Sequence, residues 1–312
     1  MSGTVGLIGI GLMGTALARR LIDAGYRVVG FDIDPARRQA FAEMGGEPVG
    51  SVAEVARRAP LTLIAVMTIA QVEEVVEGKG GLIESGTAEP PRMALCTSTC
   101  DPGRIEALAT RAAARGYTFL DTPVSGTSRQ VLEGDGFGLV AGDRAAADRA
   151  AAVIKVIYPR SQHLGPAGNA SKTKLAINHI LGLNRVALAE GLVFAETMGL
   201  DLPSFLAAAR QSAAYSQIMD VKGDKMIAGD FEPVGKLSQH LKDIRTMLPE
   251  AERRGQQLPF LSLLREIVEA GERHGEGGRD NSITIEEIRR RKTAGAANAS
   301  GGMKKTGAAG GQ

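Results

Sequence analysis

Residues 5–140 alternate short, almost continuously apolar runs with helix-length segments, and no other feature of the chain restricts its fold so far. The runs are Val5 to Ile8, Val28 to Phe31, Leu61 to Met67, Met93 to Thr97, Thr118 to Leu120 and Phe137 to Val140. A strand with one solvated face alternates apolar and polar residues, whereas a run that is apolar throughout is covered on both faces. The spacers supply those covers and the crossovers that parallel strands need. The expected fold class is α/β, a doubly wound parallel sheet. Beyond about residue 164 the β-branched runs stop, and Ala, Leu, Met and Glu dominate segments such as Ala170 to Met198 and Leu202 to Ala209. An all-α C-terminal domain should follow. The stretch from Ala170 to Met198 contains no proline and, at about 1.5 Å per residue, makes a long central helix able to span a small domain. The expected division is 1–164, 165–292 and a tail, 293–312. The tail is Gly, Ala, Ser and Lys almost throughout, so burial cannot offset its ordering entropy, and it is read as disordered and functionally silent.

The balance of 37 basic and 35 acidic residues leaves a formal charge of +2, which offers no field for nucleic acid or anionic lipid. A small-molecule partner is favoured. Cys96 and Cys100 are the two cysteines; they lack C-x-x-C spacing and are too few for a disulfide framework, so buried thiols and no metal are expected. The N-terminus runs directly into the first apolar segment without a basic region and cleavage site, which reads as cytoplasmic. No apolar run approaches the roughly 20 residues of a membrane helix.

Between the first apolar run and a helical stretch lie Gly9-Ile10-Gly11-Leu12-Met13-Gly14. Glycines in this spacing permit a tight turn, close backbone approach to a pyrophosphate and close packing of helix on strand, while the helix N-terminus favours the phosphate charge. The second run ends in Asp32, 18 positions beyond Gly14, where an acid meets an adenosine ribose. Together they mark a Rossmann dinucleotide site. A carboxylate at Asp32 accepts from a ribose 2′-hydroxyl and repels a 2′-phosphate, and Ile33 supplies no cation, so NAD is the expected cofactor. Arg37 and Arg38, on the helix after Pro35, are read as a solvated face.

Further stretches extend the pattern. Asp121-Thr122-Pro123-Val124-Ser125-Gly126 with Gly134, the segment Gly168 to Asn178 containing Lys174, the pair Lys242-Asp243, and Gly278-Arg279-Asp280-Asn281-Ser282 occur in that order. With the G-x-G-x-M-G turn, these make residues 4–291 resemble the β-hydroxyacid dehydrogenases, the family of 3-hydroxyisobutyrate dehydrogenase and tartronate semialdehyde reductase. The resemblance implies an NAD-dependent dehydrogenase acting on the CH–OH group of a small 3-hydroxy acid. It implies Lys174 and Asn178 as catalytic residues and Ser125, Gly126, Thr127 and Lys242 as substrate-binding. It adds Met67, Thr99 and again Lys242 to the cofactor residues of the glycine turn and Asp32.

Physical reasoning agrees with that carry-over. Lys174 and Asn178 are four apart, so they lie only about 40° apart around a helix and one turn along it. Alcohol oxidation needs a group to take the hydroxyl proton as hydride leaves, and a lysine whose pKa is lowered by burial can take it and return it. Departures bear on the substrate. Thr127 stands where the family has a second glycine, and a β-branched residue is excluded from angles that glycine allows. Ile177 and Cys96 replace a frequent asparagine and a frequent aspartate. The Thr127 hydroxyl and Arg129 would suit a sugar acid or sulfonate, unless Arg129 faces outward. Two other readings stay open: an NADP-dependent aldehyde-acid reductase, and a non-catalytic cofactor-binding scaffold, which should have lost the lysine. The long apolar helix, hard to cover within one small domain, implies a homodimer or homotetramer.

Overall fold

The computed structural model describes residues 3–85 and 92–292; the tail expected at 293–312 lies outside them. Six strands, β1 (Thr4–Ile8), β2 (Arg27–Phe31), β3 (Glu47–Pro48), β4 (Leu61–Ile64), β5 (Met93–Cys96) and β6 (Thr118–Asp121), form one sheet in the order 3-2-1-4-5-6. Every pairing in it is parallel. Successive side chains leave opposite faces: Leu7, Leu63 and Leu95 enter one core, and Ile8, Ile64 and Cys96 enter the other. Both faces are therefore apolar, which is why the strands read as unbroken runs. Cys96 and Cys100 are buried free thiols.

Phe137–Val140 does not join this sheet. It is β8 of a second, three-stranded sheet, antiparallel to β7 (Val124–Ser125) and parallel to β9 (Arg160–His163). Asp121 and Ala141 join the two sheets by exchanging backbone hydrogen bonds of 2.9 and 2.8 Å. The expected run Leu61 to Met67 ends as strand at Ile64, because the next helix, Ile69–Glu77, is capped by the Thr68 side chain and the intervening residues form the turn.

The described residues fall into two compact units, one within Met1–Ile180 and Lys242–Gln257, the other within Leu181–Leu241 and Leu258–Gln312. The long helix runs from Asn169 to Thr197 and the helix bearing Lys242 from Leu237 to Arg253, so each contributes residues to both units. The second unit is helical, with Leu206, Met226, Leu264, Ile267 and Val268 buried. At its centre Asp280, fully buried, accepts from Lys222 Nζ at 2.7 and 2.9 Å and from the backbone N–H groups of Val234, Gly235 and Ser282 at 3.0 to 3.1 Å. Burial by itself would raise the Asp280 pKa, but the Lys222 charge and these donors outweigh it and hold the carboxyl below its ordinary value. Arg185 is also buried; burial lowers its pKa to about 10, against the pull of Asp280.

Removing one member of a buried ion pair strands the other, at about 3 to 5 kcal/mol. Asp280→Ala should therefore lower the unfolding free energy by about that amount in urea titrations, and adding Lys222→Met should recover part of it. An Asp280→Ala protein with wild-type stability would show that the pair does not hold this unit together.

Candidate functional site

The helix Leu12–Asp23 begins directly after Gly11, and no side chain caps it, so its first-turn N–H groups are free to meet ligand oxygens. The glycines are spatially required. Gly9 has φ of +90° and a Cβ there would lie 2.5 Å from the Ala65 carbonyl oxygen; a Cβ on Gly14 would lie 2.0 Å from that of Gly9. A Cβ on Gly11 would meet only Arg37 Nη1, at 3.8 Å, so this position opens the cradle through which a pyrophosphate can approach the backbone. Asp32, buried, accepts from Ile10 N at 2.6 Å and Asp34 N at 2.9 Å. A carboxylate has about four acceptor positions, so capacity remains for ribose hydroxyls. These residues fit a pyridine dinucleotide. Arg37 and Arg38 are less detached than the sequence suggests. Arg37 Nη1 stands 3.5 Å from Asp32 Oδ2, and Arg38 donates to the Asp32 carbonyl at 2.5 Å while covering the Phe31 ring.

Met67 and Thr99 follow the carboxyl ends of β4 and β5. Their carbonyl oxygens accept from Lys242 Nζ at 3.4 and 2.8 Å, so this lysine pins the two loops together. Lys242 is also 3.1 Å from Asp243 Oδ1. Asp243 Oδ2 in turn accepts from Asn178 Nδ2 at 2.9 Å, which aims the amide on the long helix. Lys174, one turn earlier, is buried and has no hydrogen-bond or ion-pair partner among the described residues. Burial lowers its pKa to about 8, with Asp243 acting upward and Lys242 downward. A shift from 10.5 to about 8 corresponds to roughly 3 kcal/mol against the charged form. Asp243 is the residue that motif reading left without a role. Its signal was its place beside Lys242.

Ser125 ends β7, Gly126 has φ of +146°, and the Ser125 hydroxyl makes no hydrogen bond among the described residues. Thr127 has φ of −80° and ψ of 165°, ordinary extended backbone open to a β-branched residue. Its hydroxyl caps the helix Ser128–Glu133 in a reciprocal arrangement with Gln130. Arg129 is 76% exposed and paired with Glu133, which is the outward placement. Ser98 donates to the Val66 carbonyl at 2.6 Å, a turn-holding role. No hydrogen bond among the described residues joins the Ser125 to Thr127 loop to Lys174 or Asn178.

A family model described as the NAD binding domain of 6-phosphogluconate dehydrogenase matches residues 4–165. A second, described as NAD-binding of NADP-dependent 3-hydroxyisobutyrate dehydrogenase, matches residues 168–288. The chain belongs to the β-hydroxyacid dehydrogenase family. It is 30% identical to the L-threonate dehydrogenase of Cupriavidus necator, over 91% of this chain and 96% of that one. It is 28% identical to the 2-hydroxy-3-oxopropionate reductase of Escherichia coli, over 91% and 96%. The fold matches a crystal structure of 3-hydroxyisobutyrate dehydrogenase from Salmonella typhimurium with a TM-score of 0.83 at 23% identity, covering 91% of this chain and 99% of that one. This β-hydroxyacid dehydrogenase is thus an oxidoreductase of hydroxy-acid CH–OH groups with pyridine-nucleotide-binding domains. Among the described residues no helix is long and apolar enough to cross a membrane, and no cluster of metal-ligating side chains occurs.

The electrostatics of the lysine can be measured without substrate. NMR titration of the Lys174 side chain should give a midpoint near 8, well below that of an exposed lysine. Asp243→Asn should move it lower, because the carboxylate favours the ammonium, and Lys242→Met should move it higher by removing a like charge. A midpoint above 10 would contradict the burial described here.

Proposed function

We propose that the protein is an NAD-dependent dehydrogenase of a small 3-hydroxy acid, of the 3-hydroxyisobutyrate kind, or a reductase of the matching semialdehyde, with Lys174 as acid/base. The observation that carries this is a buried lysine, without a hydrogen-bond or ion-pair partner among the described residues and with its pKa lowered by burial to about 8, one helical turn from an amide held by Asp243. The bound cofactor would accept or supply the hydride. Lys174 takes the hydroxyl proton in oxidation and returns it in reduction; a pKa near neutrality keeps both forms populated. Asn178 directs the reacting oxygen with its amide, and the Ser125 hydroxyl and the backbone at Gly126 receive the carboxylate. Lys242 holds the loops of Met67 and Thr99 in place. The scaffold reading loses support from the retained lysine. A more polar acid is favoured by the L-threonate dehydrogenase relative, although Thr127 and Arg129 are committed elsewhere.

Lys174→Met should lower kcat by about 10² to 10⁴ while sparing NADH binding, and Asn178→Ala by about 10- to 100-fold. In the wild type, oxidation should rise with pH through about 8 as the amine loses its proton, and reduction should fall over the same range. Assays would use 3-hydroxyisobutyrate, glycerate and L-threonate. If Lys174→Met keeps more than about a tenth of wild-type kcat on the best substrate, the lysine is not the acid/base.

For the cofactor, the buried Asp32 carboxylate supports NAD. Arg37 beside it supports a second reading, in which NADP is also accepted. Steady-state kinetics with both cofactors should favour NAD in the wild type, and Asp32→Ala with Ile33→Arg should shift the ratio towards NADP. A wild type that already prefers NADP about tenfold in kcat/KM would refute the NAD reading, and loss of that preference in Arg37→Ala would assign it to this guanidinium.

A further inference from the structure

Asp121 ends β6 and is fully buried, four residues before Ser125. Its carboxylate is turned to the start of the long helix. Oδ2 accepts from Ser171 N and Oδ1 from Ser171 Oγ, both at 2.8 Å. Ser171 lies three residues before Lys174, and Gly168, with φ of +89°, turns the chain into that helix. Through its backbone the same Asp121 also joins the two sheets at Ala141. One residue therefore ties three things: the strand leading to the Ser125 loop, the second sheet, and the first turn before the lysine.

No cation pairs with Asp121 among the described residues; the ionisable groups nearby are Glu106 and the Cys96 thiol. Burial raises its pKa to about 6, against the opposing Ser171 hydrogen bonds. Its folded pKa lies above its ordinary 3.8, so folding favours the protonated form, and stability from this group declines as pH rises from the ordinary carboxylate range through about 6. At neutral pH the charge opposes folding.

We propose that Asp121 is a positioning residue, which fixes the first turn of the long helix, and with it the Lys174 amine, against the Ser125 to Gly126 loop. This rests on Lys174 as the proton carrier. A displacement of about 1 Å in a reacting group can cost about 100-fold in rate, so a slackened first turn is felt in kcat before it is felt in cofactor binding.

The test uses Asp121→Leu, which can accept neither Ser171 bond, Ser171→Ala and the double variant, with kcat, KM, NADH affinity by fluorescence and melting temperature measured for each. The expected result is a fall in kcat of about 10- to 100-fold in each single variant, with KM and NADH affinity within about twofold of wild type. The double should be no worse than the poorer single variant, because Ser171→Ala removes one of the two bonds that Asp121→Leu removes together. Asp121→Asn serves as the conservative control: its Oδ1 can accept from Ser171 N and its Nδ2 can donate to Ser171 Oγ, so it should keep kcat within about threefold of wild type and melt no lower at about pH 7.5. Unchanged kcat in Asp121→Leu, losses that multiply in the double variant, or a kcat loss that merely follows a fall in melting temperature would overturn the proposal. Lys174→Met separates the two readings: if it lowers kcat by about 10² or more while Asp121→Leu leaves kcat unchanged, only the positioning role fails, and if Lys174→Met keeps more than about a tenth of wild-type kcat, the proton-carrier reading fails first.

Discussion

In a sheet whose strands all run one way, every carboxyl end lies along one edge, and the loops that leave that edge gather there. The glycine turn leaves β1, Asp32 follows β2, Met67 follows β4, Thr99 follows β5 and the Ser125 loop follows β6. Residues spread over more than a hundred positions are thus brought to one edge by the pairing of strands alone. The crossover helices make that pairing parallel and cover both faces.

The long helix works differently. Its residues are not at the sheet edge by topology, so side chains must hold it there. Lys242 fastens the Met67 and Thr99 carbonyls, Asp243 fastens Asn178, and the Asp121 carboxylate fastens Ser171. Each of these bonds spans at least fifty residues of sequence. Lys174 makes no hydrogen bond or ion pair among the described residues, and burial lowers its pKa to about 8. A nearby carboxylate in direct contact would have kept it charged.

Much of the architecture was legible because backbone patterns are local. β1, β2, β5 and β6 coincide with apolar runs, and the long helix runs from Asn169 to Thr197 where a proline-free stretch was read from Ala170 to Met198. Strands without such a pattern were missed. β9, Arg160–His163, is polar and sits at the edge of its sheet, where no apolar face is demanded; β3 and β7 have two residues each. The glycine turn and Asp32 were legible because a phosphate-binding turn restricts residue type position by position.

Composition, periodicity and spacing determined a parallel α/β unit with a dinucleotide turn, a helical continuation, and Lys174 and Asn178 on one face of one helix. They could do so because helix and strand periods, and the needs of a tight turn, act between near neighbours in the chain. Only the tertiary structure decided that Arg129 faces outward, that the Thr127 hydroxyl caps a helix, and that Asp121 reaches the first turn of the long helix. It also decided the protonation range of Lys174, because that depends on how much water packing removes from the amine and on the charges of Lys242 and Asp243, which are distant in sequence and brought near by folding.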